Sequence, residues 1–317
     1  MSNHASRMFP SPSATSSLWL TARHLSPSAW RVRYASGGLD SRGLLATLQT
    51  AAHVPIKMSS GASVHSVVLA RSIAGVGTSR LIVKVRTLGA ADRIKALCGG
   101  GRAKRAREGA AWLHRHGLST ALPLLHATTS TFELQVMPEL AGRSLLFVLA
   151  DEFRAPSETG RDTESAIAAA VGRDLATMVL AGRFNRDHKP SNLIVYADGA
   201  EVNVAIIDTV AILPVKPRAA MVERAARMLS SLLIEPMGCG IAPRRALRWR
   251  VLLAFLEAMW IGQATEGDTT PLDLDWQQQS ARAIWGMVAK LIARHGPMVP
   301  VDDPLESYEL PAPESRS

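Results

Sequence analysis

The sequence predicts an α+β chain of two lobes, a small antiparallel-sheet lobe followed by a helical lobe, and three observations predict it. Between Val54 and Val85, short apolar runs rich in β-branched residues alternate with glycine turns. From Ser165 onward, apolar residues recur at three- and four-residue intervals in long stretches. Between these halves, Gly99-Gly100-Gly101 interrupts the chain immediately before the first helical pattern.

Taken in order, Met1 to Ser17 is rich in Ser, Pro and Ala, and no Asp or Glu precedes Asp40. That composition predicts a disordered or weakly ordered basic leader over 1–50 and would also suit an organellar transit peptide. Leu18-Trp19-Leu20 is too short for the apolar core of a secretory signal. Val54–Met58 and Val64–Ala70 read as strands around the turn Ser59-Ser60-Gly61-Ala62-Ser63, and Ala74–Thr78 turns into a third strand over Arg80–Val85. Helix follows over Ala103–His116, closed by Gly117, and then a strand over Phe132–Val136. The helices of the second lobe are expected at Ser165–Leu180, Arg218–Leu233, Ala242–Trp260 and Trp276–His295. The first lobe then spans 51–140 and the second 141–296, with a loose acidic, Pro-rich tail over 297–317.

The chain has 317 residues, 47% of them hydrophobic and 20% charged, which suits a substantial core and excludes disorder throughout. A net charge of +9 favours anionic partners: nucleotides, phosphorylated sugars, nucleic acid or an acidic membrane face. With 5% aromatic residues and none interleaved with the charges, specific nucleic-acid readout is not expected. Cys98 and Cys239 have no metal-ligand spacing and read as reduced thiols of a cytoplasmic protein, in preference to a disulfide. No apolar run is long enough for a transmembrane helix.

The chemistry concentrates in Asn185-Arg186-Asp187-His188-Lys189-Pro190-Ser191-Asn192. Transfer of a phosphoryl group needs a carboxylate to orient the attacking hydroxyl and oxygen ligands to hold Mg²⁺ against nucleotide phosphates. Asp187 offers the first and Asn192 one of the second, while Lys189 between them would offset charge on the transferred group. Downstream, the apolar run Val202–Ile207 ends in Asp208, the position expected for a second Mg²⁺ ligand. Upstream, Lys84 stands in the middle of an apolar strand, where a charge is costly unless used. It is assigned to the nucleotide phosphates, steadied by Glu108, the one acid on the Ala103–His116 helix. Gly61 and Ser63 lie where a phosphate-covering loop belongs, and Met137 and Glu139 where an adenine-binding hinge belongs.

These segments resemble the protein-kinase-like superfamily, and within it the chain looks most like the bacterial lipopolysaccharide core kinases that phosphorylate Kdo or heptose sugars. The finer likeness rests on Ala103–Glu108 with Leu113–Leu124, on Glu223–Leu232 and on Arg244–Leu256. The resemblance implies a bilobal kinase-like fold, ATP and Mg²⁺ as cofactors, and a sugar or glycolipid hydroxyl as acceptor. It also implies a cytoplasmic protein, or one at the inner face of the inner membrane, where its basic patches would meet anionic lipid. Asn185 replaces a common His, and Thr209-Val210 follows Asp208 where Phe-Gly is common. The short path from Asp208 to the next helix leaves no room for a long activation segment, which argues against a peptide acceptor. An aminoglycoside-type small-molecule kinase, a compact serine/threonine protein kinase and a pseudokinase binding module remain as alternatives.

Overall fold

The structure, a computed structural model, describes residues 17–59, 61–97, 101–154, 158–199, 201–215, 221–262 and 273–295. The expected tail over 297–317, the first sixteen residues of the expected leader, and Cys98 lie outside them. In chain order the elements are α1 (Ser17–Arg23), β1 (Arg31–Ala35), α2 (Ser41–Thr50), β2 (Ala52–Ser59), β3 (Ala62–Val68), β4 (Arg80–Thr87) and α3 (Ala90–Leu97). Then come α4 (Arg102–Arg115), β5 (Ser119–Thr120), β6 (Leu125–Thr128), β7 (Phe132–Pro138), β8 (Arg143–Ser144), α5 (Leu145–Arg154) and α6 (Glu158–Leu180). The remainder is β9 (Arg183–Asn185), β10 (Leu193–Asp198), β11 (Glu201–Ile206), β12 (Ile212–Pro214), α7 (Met221–Gly238), α8 (Arg245–Ile261) and α9 (Leu274–His295).

The chain divides into two compact units, one of residues up to Gly101 with Leu122–Glu139, the other of Arg102–Ala121 with everything from Leu140. The first is built on a six-stranded antiparallel sheet in the order β1-β6-β7-β4-β3-β2. Strand alternation gives this sheet two different faces. On one, Val67, Leu81, Val83, Val85, Leu134 and Val136 are buried. They pack with Trp19, Trp30, Leu44, Leu45 and Leu48, all from the stretch expected to be a loose leader.

That expectation is corrected over residues 17–50. α1, β1 and α2 form there because their large apolar side chains cover the sheet, each burial contributing roughly 1.5–3 kcal/mol. Local bonds help: the Asp40 side chain accepts from Gly43 N at 2.9 Å to cap α2, and Arg23 Nε donates to Gln49 O at 2.9 Å. Composition near the N-terminus concealed this, since five apolar anchors spread over thirty residues make no dense periodic run.

The second unit is helical, as its periodicity predicts, with a core of Leu146, Leu175, Met178, Met228 and Leu252. It also holds the four-stranded sheet β5-β11-β10-β8 and the pair β12-β9. α4, expected with the first lobe, belongs here because β5, which follows it, pairs with β11 (Ser119↔Ala205). Among the described residues no helix is long and apolar enough to cross a membrane.

Candidate active site

Two strand pairings of the second unit gather the loop residues that the sequence singles out. β10 and β11 form a hairpin in which Leu193 faces Ile206, so Ile207 N donates to Asn192 O at 3.0 Å. β9 pairs with β12, Asn185 facing Ile212, and Arg186 N donates to Ala211 O at 3.0 Å. Both ends of the 186–192 loop are thereby fixed against the segment that carries Asp208.

Inside the loop, Asn192 Nδ2 donates to the carbonyl oxygen and to Oδ2 of Asp187, each at 3.0 Å. Both amide hydrogens are thus committed to Asp187, which leaves the Asn192 side-chain oxygen to face a cation. Lys189 Nζ stands 3.8 Å from Asp187 Oδ1. Asn185, buried at 1% exposure, accepts from Asp187 N at 3.0 Å, so the residue that replaces a common His orients the backbone of the expected base. Its own backbone amide donates to Met228 Sδ at 3.3 Å. His188 is equally buried, and both of its ring nitrogens lack a partner among the described residues. Burial pushes its pKa down to about 4, so the ring is neutral.

Asp208 caps the 3-10 turn Thr209–Ala211, accepting from Val210 N at 3.3 Å, and its Oδ2 lies 3.9 Å from Arg102 Nη2. α4 rests directly on this turn. Thr209 Oγ1 donates to Ala106 O at 2.6 Å, and a Cβ added at Gly109 would stand 2.1 Å from Thr209 O. Glu108, on the same helix, is exposed, with Lys104 Nζ 3.7 Å from its carboxylate. Its expected partner, Lys84, belongs to the other unit.

In the first unit, Lys84 lies mid-strand in β4, opposite Val64 and Gln135. Val64, Ser66, Ile82, Lys84, Gln135 and Met137 share the face of the sheet turned away from the leader-covered core. Glu139, just past β7, accepts from Ser66 Oγ at 2.7 Å and from Arg80 Nε at 3.3 Å, so its carboxylate is turned back onto that face. Ser63 does not join them. It lies in β3 opposite Val85 of β4, and its side chain is buried on the opposite face with His65 and Val67. The expected phosphate-covering role of the Ser63 side chain is therefore corrected: a one-residue step along a strand reverses the face. Ser59 pairs with Ala62, so two residues connect β2 and β3, and a Cβ at Gly61 would meet Thr87 Oγ1 at an ordinary 3.6 Å. Glycine is not sterically required there.

Asn192 and Asp208 are oxygen donors, the ligand type that Mg²⁺ selects. Among the described residues no three acidic, imidazole or thiol side chains cluster as a self-sufficient metal site. A cation at Asn192 and Asp208 would complete its shell with phosphate oxygens and water, which suits Mg²⁺ arriving with a nucleotide.

Sequence reasoning missed Glu235, near the end of α7. Its carboxylate accepts from Ser191 N at 2.8 Å and from Ser191 Oγ at 2.6 Å, and lies 3.9 Å from Lys189 Nζ. Glu235 and Ser191 are 44 apart in the chain, and no local spacing announces the contact. The 185–192 bonds, by contrast, follow from a compact motif.

An antiparallel-sheet unit with a mid-strand lysine, and a helical unit whose loop and following hairpin carry Asp187, Asn192 and Asp208, make a protein-kinase-like fold. No family model matches the chain, and no curated protein matches it. Among solved structures it is similar to WaaP in complex with acyl carrier protein, with 17% identity, a TM-score of 0.46, and 80% of this chain and 99% of that one covered. It is also similar to the BubR1 kinase domain, at 11% identity and a TM-score of 0.45, covering 76% of this chain and 83% of that one. A third is a PknI kinase domain of Mycobacterium tuberculosis, at 18% identity and a TM-score of 0.40, covering 75% and 95%.

Proposed function

We propose that the protein is an ATP- and Mg²⁺-dependent phosphotransferase whose acceptor is a sugar hydroxyl, of a lipopolysaccharide core or a similar glycolipid. The observation that carries this reading is the pair of hydrogen bonds that Asn192 Nδ2 donates to the backbone oxygen and carboxylate of Asp187, with Lys189 alongside. One amide thus orients the proton acceptor while its oxygen stays available to a cation. Asp187 takes the proton of the attacking hydroxyl as the acceptor oxygen bonds to the γ-phosphorus and the bond to the ADP oxygen breaks. Lys189 offsets negative charge on the group in transit. Asn192 and Asp208 would hold Mg²⁺, which supplies neutralisation of the phosphates, and Lys84 would hold the α- and β-phosphates. Met137 and Glu139 would flank the adenine.

A small acceptor is favoured over a peptide because α7 already begins at Met221, leaving no long segment after Asp208. Contact with an anionic membrane face is supported by α8, where Arg245 and Arg250 are exposed on either side of Trp249, itself 47% exposed. Vesicles of anionic lipid should bind the parent more tightly than Arg245→Glu/Arg250→Glu, by roughly 1 kcal/mol per charge removed. Equal binding by both would remove α8 from the membrane assignment.

The deciding experiment is transfer of labelled γ-phosphate from Mg-ATP to extracts holding glycolipids and small sugars. Label should enter the glycolipid fraction with the parent and not with Asp187→Asn. Label in proteins would favour the protein-kinase alternative, and ATP binding without transfer to any fraction would favour the pseudokinase.

A further inference from the structure

We propose that Glu235 is a positioning residue that clamps the catalytic loop and shares Lys189 with Asp187, an inference that rests on the phosphotransferase reading of that loop. Three observations on different atoms converge on it. The first is an open helix end. Pro190–Asn192 forms a 3-10 turn whose N-cap, Lys189, makes no side-chain capping bond. The amide of Ser191 thus has no partner within the turn, and a buried unpaired amide is costly. Glu235 supplies the missing acceptor from another element, one carboxylate oxygen taking the Ser191 amide at 2.8 Å and the other its hydroxyl at 2.6 Å. Two donors on two oxygens of one carboxylate form a directional, charge-assisted pair.

The second observation concerns α7. Met228 and Glu235 stand seven residues apart, two helical turns, and so lie on one face of that helix. Met228 Sδ accepts the Asn185 amide and Glu235 accepts the Ser191 amide. One helix face therefore braces the loop at both ends, with Asp187 between the two braces.

The third is the position of the lysine. Lys189 Nζ lies 3.8 Å from Asp187 Oδ1 and 3.9 Å from Glu235 Oε1, beyond hydrogen-bond length to either. The ammonium is held between two carboxylates with its protons committed to neither, ready for an incoming phosphoryl oxygen. Without the Glu235 charge, Lys189 would close onto Asp187 and occupy the oxygen that must receive the acceptor's proton. The loss should therefore appear in kcat, with nucleotide affinity preserved, because neither Glu235 nor Ser191 is assigned to the nucleotide.

The test compares the full-length parent with Glu235→Gln, Glu235→Ala and Ser191→Ala, reading kcat, the KM for Mg-ATP, thermal unfolding and amide exchange of the 189–192 segment. Glu235→Gln keeps an acceptor for Ser191 and loses the charge. It should fold as the parent does, hold its KM within about twofold, and lose roughly tenfold in kcat, the scale of one charge-assisted interaction. Glu235→Ala should in addition speed exchange at Ser191, and not in α6 or α8. Ser191→Ala, which keeps the amide bond, should lose less than threefold or so. Parent kcat in Glu235→Gln overturns the sharing of Lys189, and unchanged Ser191 exchange in Glu235→Ala overturns the clamp. If the parent itself transfers no phosphate, the phosphotransferase reading fails, while exchange at Ser191 still decides the clamp by itself.

Discussion

The two units present their site residues by different means. In the first unit, position on the sheet decides everything: Lys84, Ser66 and Met137 share a face because strand pairing aligns them, and Ser63 and His65 take the other face because they are one step out of phase. Strand pairing sets that face, and a side-chain bond such as Ser66 Oγ to Glu139 adds to it. In the second unit, strands only deliver the ends of the loop, and the loop itself is held by side chains. Asn185 bonds the amide of Asp187, Asn192 bonds its carboxylate, Glu235 bonds Ser191, and Thr209 bonds α4. A sheet face tolerates substitution as long as alternation survives, whereas a braced loop depends on individual atoms.

The sharpest way to break this contrast is to remove a single atom type from the braced unit. Asp208→Asn keeps the shape and the Val210 cap geometry while removing the charge expected to meet Mg²⁺. Transfer should fall roughly 10²–10³-fold, the scale of losing one preorganised electrostatic group. Calorimetric titration with Mg-ATP should show weakened binding on an intact fold. Parent-like Mg-ATP affinity would take Asp208 out of the metal site.

A second pair of substitutions sets the units side by side. Gly109→Ala puts a methyl group 2.1 Å from the backbone carbonyl of Thr209, which cannot swing away as a flexible side chain would. The expected cost is about 1–3 kcal/mol, the scale of overpacking, with α4 displaced from the Asp208 turn. Gly61→Ala places its methyl at ordinary contact with Thr87 and should leave stability within about 0.5 kcal/mol. Thermal unfolding of the two variants measures both. Equal melting temperatures would mean that α4 and the turn adjust together, and that the braced unit is more forgiving than its contacts imply.

The same contrast decides which residues a sequence discloses. Asp187, Lys189, Asn192 and Asp208 stand out in the sequence because a six-residue motif and one strand-end acid mark them by spacing, and the structure groups the first three. The long helices were legible because an apolar period near 3.6, sustained over about fifteen residues, fits an amphipathic helix and not a strand. Ser63 was misassigned because a glycine turn and the strand after it differ by one residue in register, and hairpin register is invisible without its pairing. The ordered leader was missed because Trp19, Trp30 and Leu44 act as separate anchors, each buried against strands far along the chain. Glu235 and Thr209 were missed for the same reason, their partners lying 44 and 103 residues away.

Acid offers a milder probe, since each unit buries one histidine whose ring nitrogens have no hydrogen-bond partner among the described residues. In the second unit burial pushes His188 down to about 4. In the first, burial pushes His65 to about 4, aided by His53, whose ring centre is 5.5 Å away and whose neighbour is Arg23. Both folded values lie below the ordinary 6.5, so the unfolded chain binds protons more readily than the folded one. Stability is then full above about pH 6.5, falls as the pH drops, and the loss is complete below about pH 4. At pH 5 each ring should cost on the order of 1–2 kcal/mol, from about 1.4 kcal/mol per unit between the unfolded value and the working pH. His65→Leu and His188→Leu, each replacing unpaired nitrogens by carbon, should flatten the fall in melting temperature between about pH 7 and pH 5. If His188→Leu flattens it and His65→Leu does not, the back of the sheet takes up protons without opening, and acid strain belongs to the braced unit alone. A fall unchanged in both variants would assign the acid response to carboxylates such as Glu133, whose pairing with His126 and Arg86 holds its pKa below the usual range despite burial.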